Sequence, residues 1–370
     1  MAGEPALSTP QHLGRGIAAS KLRVTVAAFE GVGVIGPVRT ADYHTAGEPF
    51  RIVTAGAPAI PGETVLERRA AAQTSADIDA VRQLLVREPR GHADMYGCFV
   101  VPPNDDGAEF GVLFWHKDGY STACGHGTIA LAAWAVNTGL VDAPFDGDTD
   151  VVMDVPSGRV TARVTCAAGV VRRVAFRNVA SYVLGREIMV ATSLGDVRVD
   201  VSYGGAIYAS LPAAAVGLTV DAEHYPALIS IGREIKWTLN ASEWARHPTD
   251  DRLAGIYGTI LYDDLGQTEN GPHQRNVTVF ADGEVDRSPC GSGTSARLAL
   301  LAADGRIRPG QVLTHESIIG TTFLGRVLPT DGIAVGDAVT TEIEGTAFAT
   351  AECVFVLDPA DPLGTGFVLR

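Results

Sequence analysis

YSTACGHGTIALAAW, Tyr120–Trp134, places a cysteine, two glycines and a histidine directly ahead of an apolar, alanine-rich run with the composition of a helix. The glycines let the backbone turn tightly and come close to a ligand. The first-turn amides, which no helical carbonyl can satisfy, then point outward with the helix dipole behind them and favour an anion there. The same end of the helix stabilises a thiolate. The pattern occurs twice. SPCGSGTSARLAL, Ser288–Leu300, repeats Cys-Gly-x-Gly-Thr ahead of a second Ala/Leu-rich run, 290 − 124 = 166 residues later and so close to half of the 370-residue chain. The two runs stop at Asn137-Thr138-Gly139 and Ala303-Asp304-Gly305, polar residues followed by glycine. Two α/β halves of similar plan follow, each presenting one Cys-Gly-x-Gly-Thr turn.

Around these two helices most of the sequence reads as strands. FRIVTAG, CFVVPP, GVLFWH, DVVMDVP, GRVTARVTC and VRRVAFRNV are β-branched or aromatic runs bounded by Gly, Pro, Asp or Asn. After about residue 187 the style restarts with VDVSYGGAIYASLP and YGTILYDD, and NVTVFADGEVDRSP predicts a hairpin with an Asp-Gly turn. QVLTHESIIG, TTFLGRVL, AVTTEIEG and FATAECVFVLD supply further strands. ADIDAVRQLLVREP has helical spacing at Ile78, Val81, Leu84 and Leu85, and Pro89 ends it.

Composition narrows the function classes. A formal net charge of −14 argues against a nucleic-acid partner, which calls for a basic surface, and gives no support for an anionic membrane face. No run approaches the roughly 18 apolar residues of a membrane-spanning helix. The first residues, MAGEPALSTPQHLGRG, lack the basic start and apolar stretch of an export signal, and residues 1–37 read as a polar leader. Five cysteines form no CxxC pair, so a disulfide framework and a zinc site are both disfavoured and a cytoplasmic location is expected. Cys98, Cys166 and Cys353 lie in strand-like runs and read as buried small apolar residues. No HxxxH or HxH spacing supports a metal, and no Gly-Lys-Ser/Thr turn supports a nucleotide. His44 and His92 read as loop braces or supports of the site; His116 and His273 read as structural.

Two such turns facing one another form a clamp for one carboxylate with a thiol on either side. Inverting a carbon next to a carboxylate needs one base to take its proton and one acid to supply another from the opposite face. Cys124 and Cys290, one as thiolate and one as thiol, fill both roles and exchange them in reverse. The backbone amides hold the carboxylate onto which the carbanion's charge spreads. Asp286, four residues before Cys290, reads either as an anchor for the substrate ammonium or as a turn cap. Two other classes remain open at this stage: a thiol hydrolase or redox enzyme using one cysteine, and a silent binding protein for amino acids. His126 is too close to Cys124 in sequence to be assigned as its base from spacing.

STACGHGTIA and DRSPCGSGTSAR resemble the two signature motifs of the proline racemase family. DYHTAGEPFRIV, EPRGHADMYG (Glu88–Gly97), SYGGAIYA (Ser202–Ala209) and DPLGTGFVLR are similar to its supporting segments, in order, from about Val38 to the C-terminus. The resemblance implies a two-domain diaminopimelate-epimerase-like α/β fold, each domain a sheet wrapped around a central helix, with the active site in the interdomain cleft. The first domain is expected over 38–187, with 351–370 returning to it, and the second over 188–350. The resemblance makes Cys124 and Cys290 the acid/base thiols and Gly125, His126, Gly291 and Ser292 the carboxylate site. Asp286, with the His126 side chain, receives the ring nitrogen. It implies a homodimer, no cofactor, no metal, and an isomerase acting on proline or a hydroxyproline. Both cysteines and the bulky Phe280, with Tyr96 as its partner across the ring, put proline racemase first. HKDGYSTACGHG, YGTIL and GSGTSAR look closer to the trans-3-hydroxyproline dehydratases, which usually replace one cysteine by Ser or Thr. Dehydratase and 4-hydroxyproline 2-epimerase are therefore the alternatives.

Overall fold

The computed structural model describes residues 35–329 and 338–369, and the leader expected over 1–37 lies, up to residue 34, outside the described residues. Among the described residues, eighteen strands join into one continuous, strongly curled sheet, with five α-helices distributed inside and outside it. The helices are α1 (Val65–Thr74), α2 (Ala76–Val86), α3 (Gly125–Asn137), α4 (Tyr225–Asn240) and α5 (Gly291–Ala303). No helix among the described residues is long and apolar enough to cross a membrane.

The sheet has two halves, each wrapped around one glycine-led helix. In the first, Val38–Thr45 lies between Glu48–Ala55 and Ala347–Phe355, antiparallel to both. Glu48–Ala55 runs parallel to Gly97–Val101, and the path continues through Phe110–His116, Gly147–Val155 and Gly158–Ala167 to Val170–Arg177. In the second, Thr341–Gly345, Thr322–Val327, Leu313–Ser317, Gly271–Phe280, Ile256–Thr268, Ile207–Pro212, Gly195–Tyr203 and Tyr182–Thr192 follow in spatial order. The halves are stitched by antiparallel pairing of Val170–Arg177 with Thr341–Gly345, Phe176 opposite Ile343. The residue boundary expected at 187/188 falls inside the strand Tyr182–Thr192.

Helix α3 is buried on nearly every face because its residues are mostly Ala, Gly, Ile, Leu and Val, and it packs into the first curl with Phe110, Val112, Met153 and Phe176. An all-round apolar helix belongs inside a core. Helix α5 occupies the matching place in the second curl; its buried Arg297 guanidinium lies over the Tyr262 ring at 3.9 Å and is bonded to Gln274. Outside the sheet, α1 and α2 cover the first half through Val65, Ile78, Val81, Leu84 and Leu85. Helix α4 covers the second through Leu228, Ile231, Ile235 and Leu239, spaced three and four apart as one helical face. Both interior helices end where glycine takes a left-handed conformation, Gly139 at φ +71° and Gly305 at φ +64°.

Candidate active site

The two Cys-Gly-x-Gly-Thr turns meet head to head. A methyl group on Gly125 would lie 2.7 Å from both the Gly291 carbonyl carbon and the Ser292 nitrogen, so glycine is what allows the two helix N-termini to touch. Each cysteine is the residue that precedes its helix: Cys124 before α3 and Cys290 before α5. Cys124 takes an ordinary extended conformation and its Sγ accepts the Gly127 amide at 3.2 Å. Cys290 sits at φ +61°, a left-handed conformation that costs a non-glycine residue free energy and tends to occur at functional sites. Its Sγ lies 3.7 Å from the Tyr208 hydroxyl, which is bonded to Ser292 Oγ at 2.7 Å.

Both thiols open onto one cavity, lined also by Tyr96, Ala123, Gly125, His126, Tyr208, Tyr257, Phe280, Asp286 and Ser292. Of the nine residues expected to catalyse or bind substrate, only Gly291 is absent from that lining, and it packs against Gly125. By helix geometry the amides of Gly125, His126, Gly291 and Ser292 have no carbonyl upstream in their own helix, so two dipoles and four donors converge. Asp286 ends the short strand Glu284–Asp286; its Oδ1 accepts from the Ser288 amide and hydroxyl at 2.8 and 2.7 Å. Its Oδ2 is 3.6 Å from His126 Nδ1, and the His126 ring is 3.5 Å from Cys124 Sγ through Nε2. Asp286 therefore serves both readings, capping a turn with one oxygen and facing the site with the other.

An aromatic wall closes the far side. Phe280 stacks on Tyr257 with ring centroids 5.6 Å apart, Tyr96 meets Phe280 at 5.7 Å, and Tyr96 meets the His126 ring edge-on at 5.0 Å. The Tyr96 hydroxyl is shared between Tyr257, at 2.9 Å, and Ser121. His116 backs this wall, edge-on to Phe280 at 5.7 Å, and burial pushes it down to about 3, so it is neutral. Sequence reasoning missed Tyr208, Tyr257, Ser121 and the backing role of His116. The tyrosines stood inside SYGGAIYA and YGTIL, but only the parallel pairing of Ile207–Pro212 with Ile256–Thr268 brings them together. His44 braces its own turn by accepting the Gly47 amide, and His92 likewise accepts the Asp94 amide. His273 pairs with Glu316 at 2.8 Å. None of these three lines the cavity, and neither do Cys98, Cys166 and Cys353.

The electrostatics favour neutral thiols in the absence of a cation. Burial raises Cys124 well above an ordinary thiol; the Gly127 amide opposes this, while Asp286 and Cys290 add to it. Burial, then Asp286, pushes Cys290 up to about 12, against the Gly293 amide and the Tyr208 hydroxyl. Beneath the site, wholly buried Glu48 accepts the Arg287 amide at 2.7 Å; burial and then Asp286 raise it well above the usual carboxylate range. Among the described residues no group of three or more His, Cys, Asp or Glu has the geometry to hold a metal ion.

A sequence model of the family described as proline racemase matches residues 40–368. The chain belongs to the proline racemase family. Within it, the chain is 42% identical over 330 residues to a trans-3-hydroxy-L-proline dehydratase of Bacillus cereus, covering 89% of this chain and 97% of that one. It is equally 42% identical, over 332 residues, to a 3-hydroxyproline 2-epimerase of Burkholderia multivorans, covering 90% and 98%. The crystal structure of a hydroxyproline epimerase from Agrobacterium vitis, with bound trans-4-hydroxy-L-proline, superimposes with a TM-score of 0.82 at 30% identity, covering 90% of this chain and 96% of that one. The fold is thus the α/β fold of the proline racemases, as the two signature motifs imply, and the chain is an enzyme of that family.

Proposed function

We propose that this enzyme inverts the α-carbon of a proline-type ring with two thiols and no cofactor, and that trans-3-hydroxy-L-proline is its substrate. The observation that carries the reading is the head-to-head meeting of α3 and α5, which gives one cavity two thiols and two helix N-termini. The substrate carboxylate rests on the amides of Gly125, His126, Gly291 and Ser292. The ring nitrogen faces Asp286 and His126, and its positive charge compensates the thiolate that burial alone disfavours. One cysteine, as thiolate, takes the α-proton; the electron pair spreads into the carboxylate; the other cysteine gives its proton to the opposite face. The two thiols end with protonation states exchanged. The cavity holds about 10 Å³ of free room, about one water molecule, so a ring is admitted only when part of the lining moves aside and is enclosed when it returns.

The preference for a hydroxylated ring over unsubstituted proline draws on the two relatives named for 3-hydroxyproline and on the Tyr96, Tyr257 and Ser121 hydroxyls beside Phe280. A second reading, dehydration, is favoured by the dehydratase name of the Bacillus cereus relative. In it the same α-carbanion expels the 3-hydroxyl, which leaves as water on taking a proton, and no second thiol is needed. The test is a side-by-side incubation with L-proline, trans-4-hydroxy-L-proline and trans-3-hydroxy-L-proline, with epimer and dehydration product separated. Epimer from the 3-hydroxylated ring is expected as the main product. No turnover of any of the three overturns the proposal.

A further inference from the structure

A second, larger cavity of about 740 Å³ lies immediately behind the aromatic wall, open to solvent. Tyr257 lines both cavities; Ser121 and His116 line the outer one and touch Tyr96, which lines the inner one. The partition between them is therefore one side chain thick. Three cations, Arg69, Arg233 and Lys236, line the outer cavity against two carboxylates, Asp118 and Asp282. That balance stands out in a chain whose net charge is −14.

The two carboxylates are already engaged. Asp282 accepts from Arg233 Nε at 2.6 Å and from Trp237 Nε1 at 2.8 Å. Asp118 pairs with Lys117 at 3.3 Å and accepts the Asp282 amide at 2.9 Å. Arg69 and Lys236 are differently placed. Among the described residues Arg69 donates only to the carbonyls of Tyr120 and Arg252, and no carboxylate lies within salt-bridge distance of it. Lys236 is 6% exposed, and its Nζ lies over the Trp237 ring at 3.7 Å with no carboxylate within 4 Å among the described residues. Burial holds both below their ordinary pKa, Arg69 at about 10, and Glu284, Asp282 and Asp118 act on Lys236 from beyond ion-pair distance, so an arriving carboxylate would be the first to pair directly with either cation.

We infer that the outer cavity is an antechamber that holds the carboxylate of the cyclic amino acid on Lys236 and Arg69, one side chain away from the thiols. The inference rests on the proposed action on such an amino acid. A cleft with a local excess of positive charge raises the local concentration of an anionic group and its rate of capture. Release of the product follows the same path in reverse. Passage between the chambers requires Tyr257 to move, since it is common to both linings.

The test compares wild type with Lys236→Met and Lys236→Arg. Lys236→Met is expected to raise KM about tenfold, the loss of one charge-assisted contact, with kcat within about twofold of wild type. Lys236→Arg restores most of KM. Added salt lowers kcat/KM of wild type and has less effect on Lys236→Met. An unchanged KM, or a fall in kcat with no rise in KM, overturns the antechamber while leaving the catalytic reading intact. Should wild type turn over none of the three ring substrates, the catalytic reading fails and binding decides the antechamber separately. L-proline is then titrated against the tryptophan fluorescence that Trp237→Phe removes. A saturable change lost in Lys236→Met supports the site, and no saturable change overturns it.

Discussion

Replacing Gly125 by alanine puts the smallest possible obstacle between the two helices that form the site. The added methyl would lie 2.7 Å from the carbonyl carbon of Gly291 and from the nitrogen of Ser292, both backbone atoms that no rotamer change can move away. Ordinary contact begins at 3.4 Å and Gly291 Cα lies closer still to the methyl, so the turns must part by more than 3.4 − 2.7 = 0.7 Å. Overpacking of this kind costs about 1–3 kcal/mol of stability, so the variant folds with a lowered Tm. Catalysis suffers more. The four carboxylate-binding amides and both thiols ride on those turns, and a misplacement near 1 Å costs on the order of 10²-fold in rate. Gly36→Ala is the control, because nothing lies within 4 Å of a methyl group there. Inversion at the α-carbon, followed by polarimetry, gives kcat/KM, and thermal unfolding gives Tm. A Gly125→Ala enzyme within threefold of wild type in kcat/KM would refute the claim that close approach of the two N-termini builds the site.

Two further outcomes follow from burial. With both thiols pushed up, Cys290 to about 12, the rate of inactivation of the free enzyme by iodoacetamide should climb about tenfold per pH unit from pH 7 to 9, and a plateau below pH 8 would contradict it. The linked stability has the sign of a raised folded pKa: the Cys290 contribution is full below the ordinary thiol value near 9 and is lost as pH rises through 12. Arg51, buried on the strand Glu48–Ala55, donates to Asp42 opposite it and to the carbonyls of Leu85 and Arg90. Arg51→Met leaves Asp42 buried with the Thr40 hydroxyl but without its cation and should cost about 3–5 kcal/mol in denaturant unfolding, with the α-carbon chemistry of the remaining folded protein unchanged.

What the sequence discloses and what it hides have physical causes. The strands were legible from their bounded β-branched runs, and the interior helices from their glycine-rich starts and Gly139 and Gly305 stops. Helix α1 was missed because only Val65, Arg68 and Ala72 face inward, leaving little apolar periodicity; its capping box of Thr64 and Glu67 was the available signal. Helix α4 was missed although Leu228, Ile231, Ile235 and Leu239 recur at helical spacing, with Pro226 at its start and Gly232 within it. In the site, the residues inside each Cys-Gly-x-Gly-Thr turn were readable locally. Tyr208 and Tyr257 were not, since strand pairing between distant segments brings them to the cavity, and Ser121 was not, since it acts through its hydroxyl contact with Tyr96.

The central claim is that Cys124 and Cys290 act as a pair on opposite faces of one carbon. Measuring α-carbon inversion by wild type, Cys124→Ser and Cys290→Ser on the same ring substrate tests it most directly, with circular dichroism showing that each variant is folded. Inversion should fall by about 10²-fold or more in both variants, the loss of one positioned proton-transfer group. Inversion at the wild-type rate in either folded variant would contradict the two-thiol account.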